Sequence, residues 1–169
     1  GIESIDVVKP LDGDHIGIET TVGYLRSLDT VRFDWLCHEA VTQPDALLTP
    51  QYSQSSVALV AAVRDLKQAR DIGEGLYWSA DGCDWAVAGG ASTQRVNDVE
   101  LSPVSGSLGV FVSDSDEEMG GIFRTDDAGK TWTPTAIQNN DRNFRSVRFS
   151  RGSSGSVWAS AIRQSTMQA

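Results

Sequence analysis

Metal-binding and redox side chains are scarce in this sequence, with two cysteines and two histidines in 169 residues. Neither His15 nor His38 has a partner at metal-ligand spacing, which leaves no zinc site to argue for. No run approaches the roughly 20 apolar residues that a membrane-spanning helix needs, so membrane insertion is not expected. Positive charge is also in short supply: 14 Lys and Arg stand against 23 Asp and Glu, a formal net charge of -9. A chain so acidic repels the phosphate backbone at long range, which excludes nucleic acid as an expected partner. A Gly-rich phosphate loop, a Gly-x-Ser-x-Gly elbow and a Cys/His nucleophile arrangement are all absent, and no cofactor is implied.

Helical periodicity is thin as well. Short runs of alternating apolar residues, bounded by Gly, Ser, Asp and Asn, read as strands. The stretch from Val57 to Arg70 is rich in helix formers, yet its place in the repeat described next makes Val57 to Val63 a strand and Arg64 to Glu74 a loop.

What the chain does have is one short phrase written three times. The clearest copy is Thr125-Asp126-Asp127-Ala128-Gly129-Lys130-Thr131-Trp132, preceded by Gly121-Ile122-Phe123-Arg124. A second reads Ser79-Ala80-Asp81-Gly82-Cys83-Asp84-Trp85, one residue shorter. The first in chain order reads Ser27-Leu28-Asp29, with Trp35 taken as its tryptophan and no glycine in the turn, which makes the clearest copy the third. The copies start at Ser27, Ser79 and Thr125, spacings of 52 and 46 residues, and periods of about this length mark repeat architectures. Val96 to Leu101 and Phe144 to Phe149 align as first strands, with Ile2 to Val7 and Ala46 to Pro50 assigned to the same slot. Second strands are expected at His15 to Thr20, Val57 to Val63, Gly109 to Ser113 and Ser156 to Ile162. Fourth strands begin near each tryptophan, as in Phe33 to Val41 and Trp132 to Ile137.

Four antiparallel strands per repeat are the blade of a β-propeller. The expected fold is therefore all-β, with about three and a half blades belonging to a larger or oligomer-completed ring. The blades run at about 1–43, 44–92, 93–140 and, in part, 141–169.

The three phrases resemble the Asp-box (BNR) repeats of sialidase-like and sortilin-like β-propellers. The resemblance covers nearly the whole chain as a repeat, and it is most specific between Thr125 and Trp132. It implies that Ser27, Asp29, Trp35, Ser79, Asp81, Trp85, Thr125, Asp127, Gly129 and Trp132 are structural staples lying away from the ligand-binding face. Their local chemistry agrees: hydroxyl and carboxylate oxygens accept turn N–H bonds, glycine supplies a positive φ, and tryptophan buries apolar surface.

An exo-sialidase of this family would carry an arginine triad, a tyrosine nucleophile paired with a glutamate, and an acid/base aspartate. Arg26 and Arg124 occupy equivalent positions before the motif, which the repeat explains better than catalysis does. Glu19, Glu39, Glu74, Glu100, Asp98 and Asp114 are available as the carboxylate pair of another glycosidase, but the sequence does not pair them. Asp114, Asp116 and Glu117, in the densest charge cluster, are weak calcium candidates beside the simpler reading of a solvated hairpin loop. Cys37 and Cys83 each lie two residues from a tryptophan. They either bridge neighbouring repeats, which implies an oxidising compartment, or are independent thiols.

These readings favour a non-catalytic scaffold that recognises a glycan or protein partner through its loops, outside the cell, at its surface or in the periplasm. The alternatives are a glycoside hydrolase whose active site is incomplete in this chain, and a homo-oligomer that completes its ring by association, since an open blade edge invites pairing.

Overall fold

The computed structural model describes residues 5–10, 16–20, 23–27, 29, 31–37, 41, 50–63, 75–92, 94–113, 120–138, 142–150 and 155–163. Among these the regular secondary structure is entirely β. Sheet I contains β1 (Ile5–Pro10), β2 (Ile16–Thr20), β3 (Gly23–Ser27) and β4 (Phe33–Cys37). Sheet II contains β5 (Gln51–Gln54), β6 (Leu59–Val63), β7 (Gly75–Ser79) and β8 (Ala86–Val87). Sheet III contains β9 (Val96–Leu101), β10 (Gly109–Ser113), β11 (Gly121–Thr125) and β12 (Thr133–Gln138). Sheet IV pairs β13 (Arg142–Phe149) with β14 (Val157–Arg163).

Within each sheet the strands follow chain order and pair antiparallel, so every connection is a hairpin. The third strands β3, β7 and β11 each open on glycine and end on the Ser or Thr of a motif, at Ser27, Ser79 and Thr125. Successive sheets touch through their early strands: β2 against β5, β5 and β6 against β9, and β9 and β10 against β13.

The core lies between the sheets. Tyr24 and Leu36 of sheet I meet Tyr52, Leu59 and Ala61 of sheet II. Val60, Ala62 and Leu76 of sheet II meet Val99, Leu101, Phe111, Phe123 and Trp132 of sheet III. Val110, Val112 and Ile122 of sheet III meet Phe144 and Val147 of sheet IV. Sheets covered on both faces lose the alternation of a half-exposed strand. Accordingly β6, Leu-Val-Ala-Ala-Val, is buried at every position. That double burial is why its composition resembles a helix while its neighbours make it a strand.

Two first strands differ from the sequence expectation. Pairing puts Pro10 opposite Ile16 and Gln54 opposite Leu59, as Leu101 lies opposite Gly109. The first strand of sheet I therefore sits three residues further along than Ile2 to Val7. That of sheet II is Gln51–Gln54 rather than Ala46 to Pro50. Hydrophobicity misplaced β5 because its buried Ser53 and Gln54 are polar, and the Ser53 hydroxyl is used between sheets.

Candidate functional site

The motif turns are densely hydrogen-bonded. In the third copy the Thr125 Oγ1 accepts the N–H of Asp127 (3.2 Å) and of Gly129 (3.1 Å), and donates its own proton to Asp127 Oδ1 at 2.7 Å. Asp127 in turn accepts the backbone N–H of Thr131 (2.9 Å) and its hydroxyl (2.6 Å), while the Trp132 indole N–H donates to the Gly129 carbonyl at 3.0 Å.

The second copy repeats the arrangement. Ser79 Oγ accepts from Gly82 N–H (2.8 Å), Asp81 Oδ1 accepts from Cys83 (2.8 Å) and Asp84 (3.1 Å), and the Trp85 indole donates to the Gly82 carbonyl (3.1 Å). The residue it lacks is the counterpart of Ala128, which sits at φ +63° in the third copy just before Gly129 at φ +90°. In the shorter turn Gly82 alone takes the positive φ, at +86°.

The first copy keeps the aspartate bonds and a long hydroxyl bond: Asp29 Oδ1 accepts from Val31 (2.9 Å) and Arg32 (2.7 Å), and Ser27 Oγ accepts the Asp29 N–H at 3.4 Å. Its tryptophan assignment needs correction. Register sets Phe33 opposite Ser27. Continued one step from Trp78–Ala86 and Arg124–Thr133, the same register sets Trp85 opposite Ser79 and Trp132 opposite Thr125. Phe33 thus occupies the motif position, and Trp35 lies two residues further, opposite Leu25.

Hydrogen bonds hold the aspartates ionised. Asp29 and Asp81 lie below the ordinary carboxylate range, chiefly through backbone N–H donors, from Arg32 and Val31 to the first and from Cys83 and Asp84 to the second. For Asp127 burial is the largest single influence and pushes upward. The donors on Thr131, Thr125 and Lys130 together outweigh it, and its carboxyl is also lowered.

The turns also fasten one sheet to the previous one. Gly89 N–H donates to the Lys130 carbonyl and Trp132 N–H to the Gly89 carbonyl, each at 2.8 Å, while Lys130 Nζ lies 5.0 Å from the Trp78 ring centre. One repeat earlier, Arg26 Nη2 donates to the Asp81 carbonyl at 2.8 Å.

Polar side chains on the early strands form a second set of clasps. Glu19 Oε1 accepts Tyr52 N–H (2.9 Å), Ser53 Oγ accepts Leu101 N–H (2.8 Å), Asp98 Oδ2 accepts Val147 N–H (3.0 Å) and Glu100 Oε2 accepts Phe149 N–H (2.6 Å). Asn97 Nδ2 donates to the Phe144 carbonyl, and Arg148 pairs with Asp98. Three residues read in the sequence as candidate catalytic carboxylates, Glu19, Asp98 and Glu100, are thus engaged with the backbone of the following sheet. Ser53 and Asn97 were missed; their one sequence signal is a polar residue inside a strand slot.

Tyr24 and Glu19 are cross-strand neighbours, a tyrosine–glutamate juxtaposition of the kind a sialidase would use. Its environment is that of a core residue. Tyr24 is fully buried, stacks on Tyr52 with ring centres 5.0 Å apart, and its hydroxyl has no hydrogen-bond partner. Burial first, then the Glu19 charge, raises its phenol pKa, the opposite of what an activated nucleophile needs. Gly17 permits this packing, since a Cβ there would overlap the Tyr24 hydroxyl.

Arg26 and Arg124 each have a carboxylate of their own, Asp34 at 3.4 Å and Asp126 at 3.5 Å. Cys83 is a free, exposed thiol at the tip of its turn. Of the two readings of the cysteines, the bridge between Cys83 and Cys37 is not made. Asp114, Asp116 and Glu117, together with Glu39, Glu74, His15 and His38, lie outside the described residues. Among the described residues, no group of three or more His, Cys, Asp and Glu is placed to hold a metal ion, and no helix is long and apolar enough to cross a membrane. The sequence matches no protein-family model, and no curated protein matches it.

Proposed function

We propose that the chain is a non-catalytic binding scaffold of the Asp-box β-propeller type, acting outside the cell and recognising a glycan or protein partner with its inter-strand loops. The observation that carries this reading is the way polar groups are used. The motif aspartates accept hydrogen bonds from their own turns, and Glu19, Asp98 and Glu100 hold the backbone of the next sheet. Such groups build a stack and leave recognition to the loops, the usual division of labour in repeat proteins. Four-stranded meanders touching through their early strands are what blades around an axis require, and this supports the propeller reading. A glycan array combined with a hydrolysis assay tests the function. Retention of a glycan class, or capture of a defined protein partner, without product release is expected; release of sugar from a retained glycan would replace the scaffold with a hydrolase.

A further inference from the structure

The first strands of the sheets share an irregularity that the motif turns do not explain. In β9 the pairing steps from Asp98–Val112 to Val96–Ser113, so Asn97 is an extra residue with no partner on β10. Counted from the hairpin that joins each to its neighbour, β1 and β13 carry a bulge at the same step, after the fourth pair, and the extra residues there are Asp6 and Arg145. All three positions hold polar residues. A bulge re-aims the side chain it inserts, which is why bulges gather beside functional sites. In sheet III this one lies at the end away from the motif turn, since Thr125 pairs with Gly109 and Ser113 with Gly121.

Asn97 is 8 % exposed. Its Nδ2 donates to the Phe144 carbonyl of sheet IV at 2.6 Å, and its Oδ1 is buried with no hydrogen-bond partner. The Phe144 carbonyl fixes the orientation of the amide, because a flip would set oxygen against oxygen. A buried acceptor left unmet is costly and calls for a donor. Nearer the strand ends stand Gln94, Arg95 and Asn143, all half-buried, with Ser113, whose hydroxyl donates to Gln94 Oε1 at 3.3 Å.

We infer that Asn97 Oδ1 is the receiving atom of a ligand site at this end of sheets III and IV, and that the ligand is a neutral glycan with one hydroxyl donating to it. The inference rests on the scaffold reading above and narrows its partner to a glycan. The amides of Gln94, Asn97 and Asn143 and the hydroxyl of Ser113 are uncharged groups that both donate and accept. Sugar hydroxyls have the same two-way capacity, whereas a peptide N–H only donates. A hydroxyl that donates to Asn97 keeps its lone pairs for N–H donors such as those of Gln94 and Arg95.

The test applies the full chain to an array of neutral oligosaccharides ending in galactose, glucose, mannose or N-acetylglucosamine, each also present in its monodeoxy forms. Wild type is expected to retain one of these glycans, and loss of one hydroxyl is expected to weaken retention about tenfold, the worth of one hydrogen bond. Asn97→Ala is expected to bind that glycan and its deoxy form equally weakly. Because Asn97→Ala also gives up the Phe144 bond, Gln94→Ala serves as a second variant, with weaker retention expected at an unchanged urea midpoint. Equal retention by wild type and Asn97→Ala overturns the inference and leaves the scaffold reading standing. An array on which wild type retains no glycan overturns it too, and the scaffold reading then stands or falls on capture of a protein partner. A crystal structure of the complex in which an ordered water, and no sugar hydroxyl, meets Asn97 Oδ1 also overturns it.

Discussion

Thr125 shows how much of a turn one hydroxyl can hold. It accepts two backbone N–H groups and donates to Asp127, and the Gly129 N–H that it satisfies is buried. Thr125→Val keeps the shape and leaves that donor unmet, which costs roughly 1–3 kcal/mol; a lowered urea midpoint with unchanged slope is the expected result. The motif aspartates link the same turns to pH. Their carboxyls are lowered in the folded chain, so the unfolded chain binds protons first as pH falls. The stability they supply is fully present above the unfolded carboxylate range, near pH 4, and is lost as pH drops through the folded values. Asp127→Asn is expected to be less stable than wild type at neutral pH and to show a shallower loss toward acid, read from thermal midpoints across pH 2.5 to 7.

At the scale of the element, the motif turn proves to be an inter-sheet fastener. A Cβ on Gly129 would run into the Val60 side chain of the preceding sheet, and its φ of +90° is strained for any other residue. Gly155 also has a positive φ, +60°, but nothing lies within 4 Å of a Cβ built there. Gly155→Ala is therefore expected to cost about 1 kcal/mol from backbone strain, and Gly129→Ala clearly more because the sheets must also part. Matched denaturation curves separate the two effects.

The motif strands were legible in the sequence because their signal is local: glycine to open, Ser or Thr to close, aspartate to cap the turn. β10 and β9 fall where alternation puts them. β5 was not legible, since two of its three buried residues, Ser53 and Gln54, are polar, and the partner of Ser53, Leu101, lies 48 residues away. Trp35 was misread for a related reason: a tryptophan stands near the motif, but strand register gives the motif position to Phe33.

Across the whole molecule, buried and part-buried polar bonds join successive sheets. Asp98 holds sheet IV through the Val147 N–H and Arg148. Asp98→Ala is expected to loosen that sheet first, with faster amide exchange over residues 142–149 and little change over 75–79, because local opening follows the contacts that are lost. An even increase over both segments would mean that sheet IV does not open on its own.

The sequence by itself determined the repeat, the antiparallel hairpins and the chemistry of the motif turns, since each depends on residues close along the chain. Only the tertiary structure decided which residues bind between sheets and that the Tyr24–Glu19 pair is core. Those depend on strand register and on burial by a neighbouring sheet, and groups some fifty residues apart carry no local mark of meeting.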